Sequence, residues 1–348
     1  MQIPQSQYLP IDKLASVFSS TSATYKFYWF LAILEVVEEG GIHIAKRNIF
    51  SRMISNSWYT VNYFHISFGK QDLIQDAVRA LIKIENLQIN ENRNTINAVL
   101  ENSVNTETIR ILKHFDKNVP HWFISSWFSG NRNEIYALSQ NFEHGCLYRL
   151  EKDFIEINPL WVSYLQTNSK ILKDFCYWNL SLFLKKRNPN VPDIPNKISK
   201  AITRNSLIKQ TNEYWKLVFN ELGAVDCIFT NKKLIFEEKQ YALDHFVPHA
   251  FVSHDLIWNL IPIHKTFNSS KGDRLPSIQM HFDKFFNLQK TAYEIVKSHN
   301  TKNKYLEEYL TIFPDLDNTT GFDYLRFRET IQPLITIASN NGFSFMRE

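Results

Sequence analysis

An aspartate next to a histidine, two asparagines and several cations fall within residues 241–277, YALDHFVPHAFVSHDLIWNLIPIHKTFNSSKGDRLPS. Asp244 offers a hard carboxylate oxygen of the kind Mg²⁺ takes, and His245 offers an imidazole that titrates near neutrality. Both stand at the end of an apolar run, where a strand would finish and the chain can turn both groups toward one site. Asn259 opens a second apolar run, and Asn268 begins NSSK, a polar stretch suited to starting a helix. Lys271 and Arg274 add positive charge where a phosphate could sit. Phosphodiester hydrolysis needs an activated water, stabilisation of the pentavalent phosphate and charge relief on the leaving oxygen. One divalent ion and one histidine can together supply all three.

Over this stretch the chain resembles the HNH (His-Me finger) endonucleases. Within that family it is similar to the HNH module of RNA-guided CRISPR nucleases and of bacterial defence and restriction nucleases. The resemblance rests on LDHFVP, then DLIWNLIP, then FNSSKGDRLPS, in that order and spacing. Such a set is far more specific than an isolated Asp-His pair. It implies a ββα-metal core at about 224–280, with Asp244 and Asn268 as ligands of Mg²⁺ or Mn²⁺ and His245 as the general base. It gives Asn259 a bracing role in the catalytic loop and places Lys271 near the scissile phosphate. DNA is the implied substrate, with RNA as the other polymer to consider, and the implied products carry 5′-phosphate ends. Many members also wrap the site in two CxxC pairs that hold zinc. Here Cys227-Ile-Phe-Thr230 and His264-Lys-Thr-Phe267 stand in those places, so no structural zinc is expected. Packing by Phe229, Phe236 and Phe267 is expected to replace it. Asp255 is assigned to the turn before Leu256, and His249, His254 and His264 to hydrogen-bonded or solvated loop positions.

The elements that must position these groups are short strands, CIFT at 227–230, KLIFEE at 233–238 and YALDHFVP at 241–248, followed by helical periodicity from about Ile278 onward. A helix at 206–222 precedes them and ends at Gly223. Upstream, helices are expected at 23–39 (with Ser22 as N-cap), 45–57, 71–86, 105–116 and 159–186, with a hairpin within 146–157. The aromatic cluster Tyr25–Phe30 and Trp58, Trp122 and Trp127 are expected to be packing residues. Three prolines and several asparagines mark 187–205 as the linker. The predicted fold is mostly α with a small ββα-metal module, α+β overall. It divides into a helical recognition or regulatory region at 1–205 and a nuclease domain with a helical cap at 206–348.

Bulk composition narrows the class without choosing it. Basic residues number 39 and acidic residues 35, so the net charge of +4 permits a polyanionic partner without demanding one. Local clusters matter more: Lys271, Arg274, Lys185, Lys186 and Arg187 are the candidate nucleic-acid contacts. Three widely spaced cysteines argue against a disulfide framework. The first residues lack a signal-peptide pattern, and the most apolar stretch, FYWFLAILEVV, is too short to span a bilayer. A cytoplasmic protein without membrane contact is expected. Its region 1–205 is free to bind a protein partner or a second copy. Two functional readings stay open. One is a defence or restriction nuclease that cuts alone. The other is a subunit that cuts only with a partner, guide RNA or nucleotide signal, or that binds through an inactive site.

Overall fold

A computed structural model describes residues 2–199, 205–315 and 321–347. The fold is mostly helical, with small antiparallel sheets. The chain divides into two compact units, Met1–Pro189 with Ile194–Ile202 and Asn190–Asp193 with Thr203–Glu348.

The first unit is built around α1 (Tyr25–Glu38), in which every residue from Phe27 to Leu34 is buried. A helix that is apolar all round must be enclosed on all sides. Here it packs against α2 (Lys46–Asn62) and the 27-residue α3 (Pro159–Lys185). Side-chain caps start several of the shorter helices: Asp72, Asn92, Asn105 and Asn131 each accept from backbone N–H groups of the following turn. Asn158 does the same for α3. The expected hairpin forms between β2 (Tyr148–Leu150) and β3 (Phe154–Ile157), and β1 (His43–Ala45) joins the free edge of β3. Behind this sheet, buried Lys46 donates to Asp116 and the Tyr136 hydroxyl, both at 2.8 Å, and to the Lys152 carbonyl at 3.0 Å. All three ammonium donors are therefore used, which is what makes a buried lysine tolerable.

The second unit begins with a helix that widens into a π-turn over Thr211–Trp215, continues as Lys216–Leu222 and ends at Gly223. Two small ladders follow, β4 (Val225–Asp226) with β5 (Lys233–Leu234) and β6 (Tyr241–His245) with β7 (Leu260–His264). After β7 come α4 (Lys265–Lys271), α5 (Ile278–His299), a 3₁₀ segment at Lys304–Thr311 and α6 (Tyr324–Asn340). Phe246, just past β6, lies flat on Phe285 of α5 with ring centroids 3.9 Å apart. Phe282, Phe286, Phe322 and Phe327 extend this aromatic core.

Several expectations are corrected. Cys227–Thr230 is a turn between β4 and β5, not a strand. The segment expected as a linker contains the helix Ile194–Ser199, which packs on α2 and α3 in the first unit; the part of it at 200–204 lies outside the described residues. The N-cap of α1 is Thr24 rather than Ser22, and it makes no capping hydrogen bond with its side chain. Trp58 is fully buried, but Trp122 is 48% exposed and is not a packing residue. Phe229 does stack on Phe267, at 5.0 Å, whereas Phe236 packs elsewhere, against Phe219 and Tyr241. Among the described residues, no helix is long and apolar enough to cross a membrane.

Candidate active site

Asp244 and His245 are the last two residues of β6, paired with Ile261 and Leu260 of β7. Pro262 sits in the same ladder opposite Leu243. A two-stranded ladder has open edges, where a missing N–H is tolerated. The link between β6 and β7 is held by Asn259, which is fully buried. Its side-chain oxygen accepts from Val247 N at 2.8 Å and its amide donates to Val247 O at 2.9 Å. Its own carbonyl accepts from Phe246 N at 2.8 Å. One side chain thus closes both ends of a peptide twelve residues away.

Lys271 ends α4 and reaches back to the strand end. Its ammonium donates to Asp244 Oδ2 at 2.8 Å and to the His245 carbonyl at 2.9 Å. The residue is only 2% exposed. It therefore ties α4 to β6 at the Asp244 carboxylate. Asn268 lies one helical turn earlier on the same face. It falls inside α4, which starts at Lys265 and not at Asn268. The Asn268 side chain is half-buried and makes no hydrogen bond to the described residues. Gly272 ends α4 with φ +54°, a left-handed conformation that favours glycine. Arg274 then folds back through a bond from Nε to the Lys271 carbonyl at 3.0 Å.

His245 Nε2 lies 3.0 Å from Asp255 Oδ1. Composition and spacing pointed Asp255 to a turn; the structure makes it the partner of the proposed base. Its second oxygen accepts from Asn205 at 3.3 Å. His249 Nε2 stands 3.9 Å from the same Oδ1, and its ring meets that of His245 edge-on at 5.1 Å. Burial by itself would raise the Asp255 carboxyl. The hydrogen bond from His245, the neighbouring charges of His245 and His249, and the Asn205 amide outweigh burial and hold the group below its ordinary value. His254 is pushed down to about 4, first by burial and then by the two neighbouring histidines. The loop that carries Asp255 turns through Ser253 at φ +59°, a left-handed conformation that costs a non-glycine residue about 1 kcal/mol.

This loop is fastened from outside the β6–β7 segment. Gln289 of α5, fully buried, donates to the carbonyls of Ile257 (3.3 Å) and Leu260 (2.8 Å). Its oxygen accepts from the Tyr309 hydroxyl, which also shares a hydrogen bond with the Tyr214 hydroxyl at 2.9 Å. Glu308 accepts from Ile257 N, and burial raises its carboxyl.

The remaining candidates belong to the first unit. Lys185 and Lys186 are exposed at the end of α3. Arg187 is already engaged: its guanidinium lies 3.6 Å from the Phe183 ring centroid and donates to the Ser22 carbonyl at 3.1 Å.

Asp244 and Asn268 bring only oxygen ligands, the type that hard divalent cations prefer, and few of them. Among the described residues no group of three or more His, Cys, Asp and Glu side chains is placed to hold a metal ion.

No curated protein and no solved structure matches the chain. The resemblance read from LDHFVP, DLIWNLIP and FNSSKGDRLPS is matched independently by a family model: residues 227–277, which contain β6, β7 and α4, match the HNH endonuclease family.

Proposed function

We propose that the chain is a metal-dependent endonuclease that hydrolyses DNA phosphodiester bonds at the β6–β7–α4 site. The observation that supports this reading is the buried Lys271, which joins the end of α4 to the Asp244 carboxylate and the His245 carbonyl, within a segment matched to the HNH endonucleases.

Asp244 and Asn268 would hold Mg²⁺ or Mn²⁺, and the bound ion supplies charge stabilisation at the scissile phosphate and the leaving oxygen. The chain's own groups do the rest. His245 takes a proton from the attacking water while the new P–O bond forms and the bond to the 3′ oxygen breaks. A 5′-phosphate results, and the 3′ oxygen takes a proton from solvent water to become a 3′-hydroxyl. Lys271 holds the Asp244 carboxylate and the strand end in place, and Asn259 fixes the loop that follows the base. Arg274 supplies a cationic contact for the phosphate backbone at this site, and Lys185 and Lys186 are separate candidate contacts in the first unit, so binding weakens as salt rises. We place the activity in prokaryotic defence or restriction on the strength of the resemblance to such nucleases.

Nicking of supercoiled plasmid with Mg²⁺ or Mn²⁺ tests this directly. The native chain is expected to nick, and both EDTA and His245→Ala are expected to abolish it. Equal nicking by the variant would remove His245 from the mechanism. No nicking without an added protein, RNA or nucleotide would favour the subunit reading. Decay of RNA without DNA damage would change the substrate.

A further inference from the structure

We infer that Asp255 is the positioning residue for the base: it holds the Nε2–H of His245, so that Nδ1 is the nitrogen that takes the proton from water. This deepens the nuclease reading and rests on it.

The argument begins with the geometry of the pair. His245 Nε2 and Asp255 Oδ1 are 3.0 Å apart, and both side chains are largely shielded, at 9% and 15% exposure. A neutral imidazole has one N–H and one lone pair, and the nitrogen that faces a carboxylate carries the hydrogen. The other nitrogen is then the acceptor. Asp255 is itself held in place. Asn205 binds its second oxygen, and the peptides that follow it are anchored by Glu308 at Ile257 N and by Gln289 at Ile257 O. A carboxylate fixed at both oxygens and seated on an anchored loop sets the ring angle as well as the tautomer. When the water proton arrives on Nδ1 the ring becomes cationic, and Asp255 lies where that charge is best offset. His249, 3.9 Å from the same oxygen, is too far away to make a hydrogen bond of its own to it.

The sequence places Asp255 ten residues beyond His245, across a turn, and no spacing rule links the two. The family segment includes both residues, but the anchors at Gln289 and Glu308 lie beyond its end at 277. Positioning of the base therefore depends on helices outside the segment.

Two measurements test the inference on the full chain. The first is steady-state nicking with Mg²⁺ by the native chain, Asp255→Asn and Asp255→Glu. Asp255→Asn is expected to lower kcat about 100-fold with KM nearly unchanged, because a misoriented base loses most of the 10²–10⁴-fold that general base catalysis contributes. Asp255→Glu, which restores a carboxylate, is expected to recover part of the loss. The second is NMR of protein labelled with ¹⁵N-histidine, and it needs no activity. A slowly exchanging imidazole N–H assigned to Nε2 of His245 is expected in the native chain, with loss in Asp255→Ala. A kcat for Asp255→Asn within threefold of native would overturn the proposal, and so would an Nε2 proton that is unaffected in Asp255→Ala. Loss of cleavage through a raised KM, or matched by a fall in melting temperature, would reduce Asp255 to a structural role. If the native chain nicks no DNA while the Nε2 proton is present and lost in Asp255→Ala, the nuclease reading fails and the pairing stands.

Discussion

Replacing Asn259 with alanine separates holding the site from doing its chemistry. The side chain is wholly buried and bonds both the N–H and the C=O of Val247, itself fully buried. Alanine leaves that donor and that acceptor without partners in a space water does not enter. Each orphaned buried group costs roughly 1–3 kcal/mol, so the pair costs about 2–6 kcal/mol. For a unit of this size each kcal/mol moves the melting temperature by about 2–4 °C, giving an expected fall of roughly 4–24 °C. Asn259→Asp should be no better, because one carboxylate oxygen would then face the Val247 carbonyl. The assay is thermal unfolding by circular dichroism, paired with nicking at 10 °C and at 37 °C. Nicking is expected to survive in part at 10 °C, where the loop stays closed, and to disappear at 37 °C. A melting temperature within 2 °C of native would refute the brace. A normal melt with complete loss of nicking at both temperatures would put Asn259 in the chemistry.

Other outcomes follow from the same geometry. Asn268 makes no side-chain hydrogen bond among the described residues, so Asn268→Ala should change stability without metal by no more than about 0.5 kcal/mol. It should also lose both nicking and the rise in melting temperature that Mg²⁺ gives the native chain; nicking at the native rate would remove it as a ligand. Lys271→Met leaves the Asp244 carboxylate and the His245 carbonyl without their shared donor. Removing one partner of a buried pair costs about 3–5 kcal/mol, and a shift under 1 kcal/mol in urea unfolding would contradict the burial of the pair. His254 and His121 both have pKa values held down to about 4, by burial first. Between about pH 6.5 and pH 4 the unfolded chain therefore binds more protons than the folded one, and stability falls as pH drops through that window. His254→Gln should flatten part of that fall, and an unchanged slope would show that His254 is solvated.

The helices at 71–86 and 105–116 announced themselves through apolar residues at three- and four-residue spacing, because that stripe is a local signal; their caps, Asp72 and Asn105, emerged only in the structure. The Asp-His pair and Asn259 stand out in sequence because their types and order fit one chemistry, and the structure sets the pair at the end of β6 with Asn259 bracing the loop that follows. β1 was not: three residues after Gly40-Gly41 carry no periodicity, and only the open edge of β3 makes them a strand. α4 begins after His264 with no side-chain cap, whereas Asn268-Ser269-Ser270 looked like a start and are in fact its interior. The burial of Lys271 and its bonds to Asp244 and the His245 carbonyl were not legible, because sequence shows a charge and not its surroundings. Asp255 was missed for the opposite reason, since its partner is selected by the path of a loop with a left-handed Ser253. Trp122 shows that an aromatic side chain need not be interior.

The chain of Tyr214, Tyr309 and Gln289 hydrogen bonds ends on the carbonyls of Ile257 and Leu260. It makes the 253–260 loop part of the same cooperative opening unit as α5 and the 3₁₀ segment. Amides that report on the loop, Ile257 among them, should then exchange with solvent at rates set by separation of those helices and not by local fraying. A fragment ending at Ser277 would keep every residue of the family segment and lose that anchorage, so its amides would exchange freely while its sequence still read as intact.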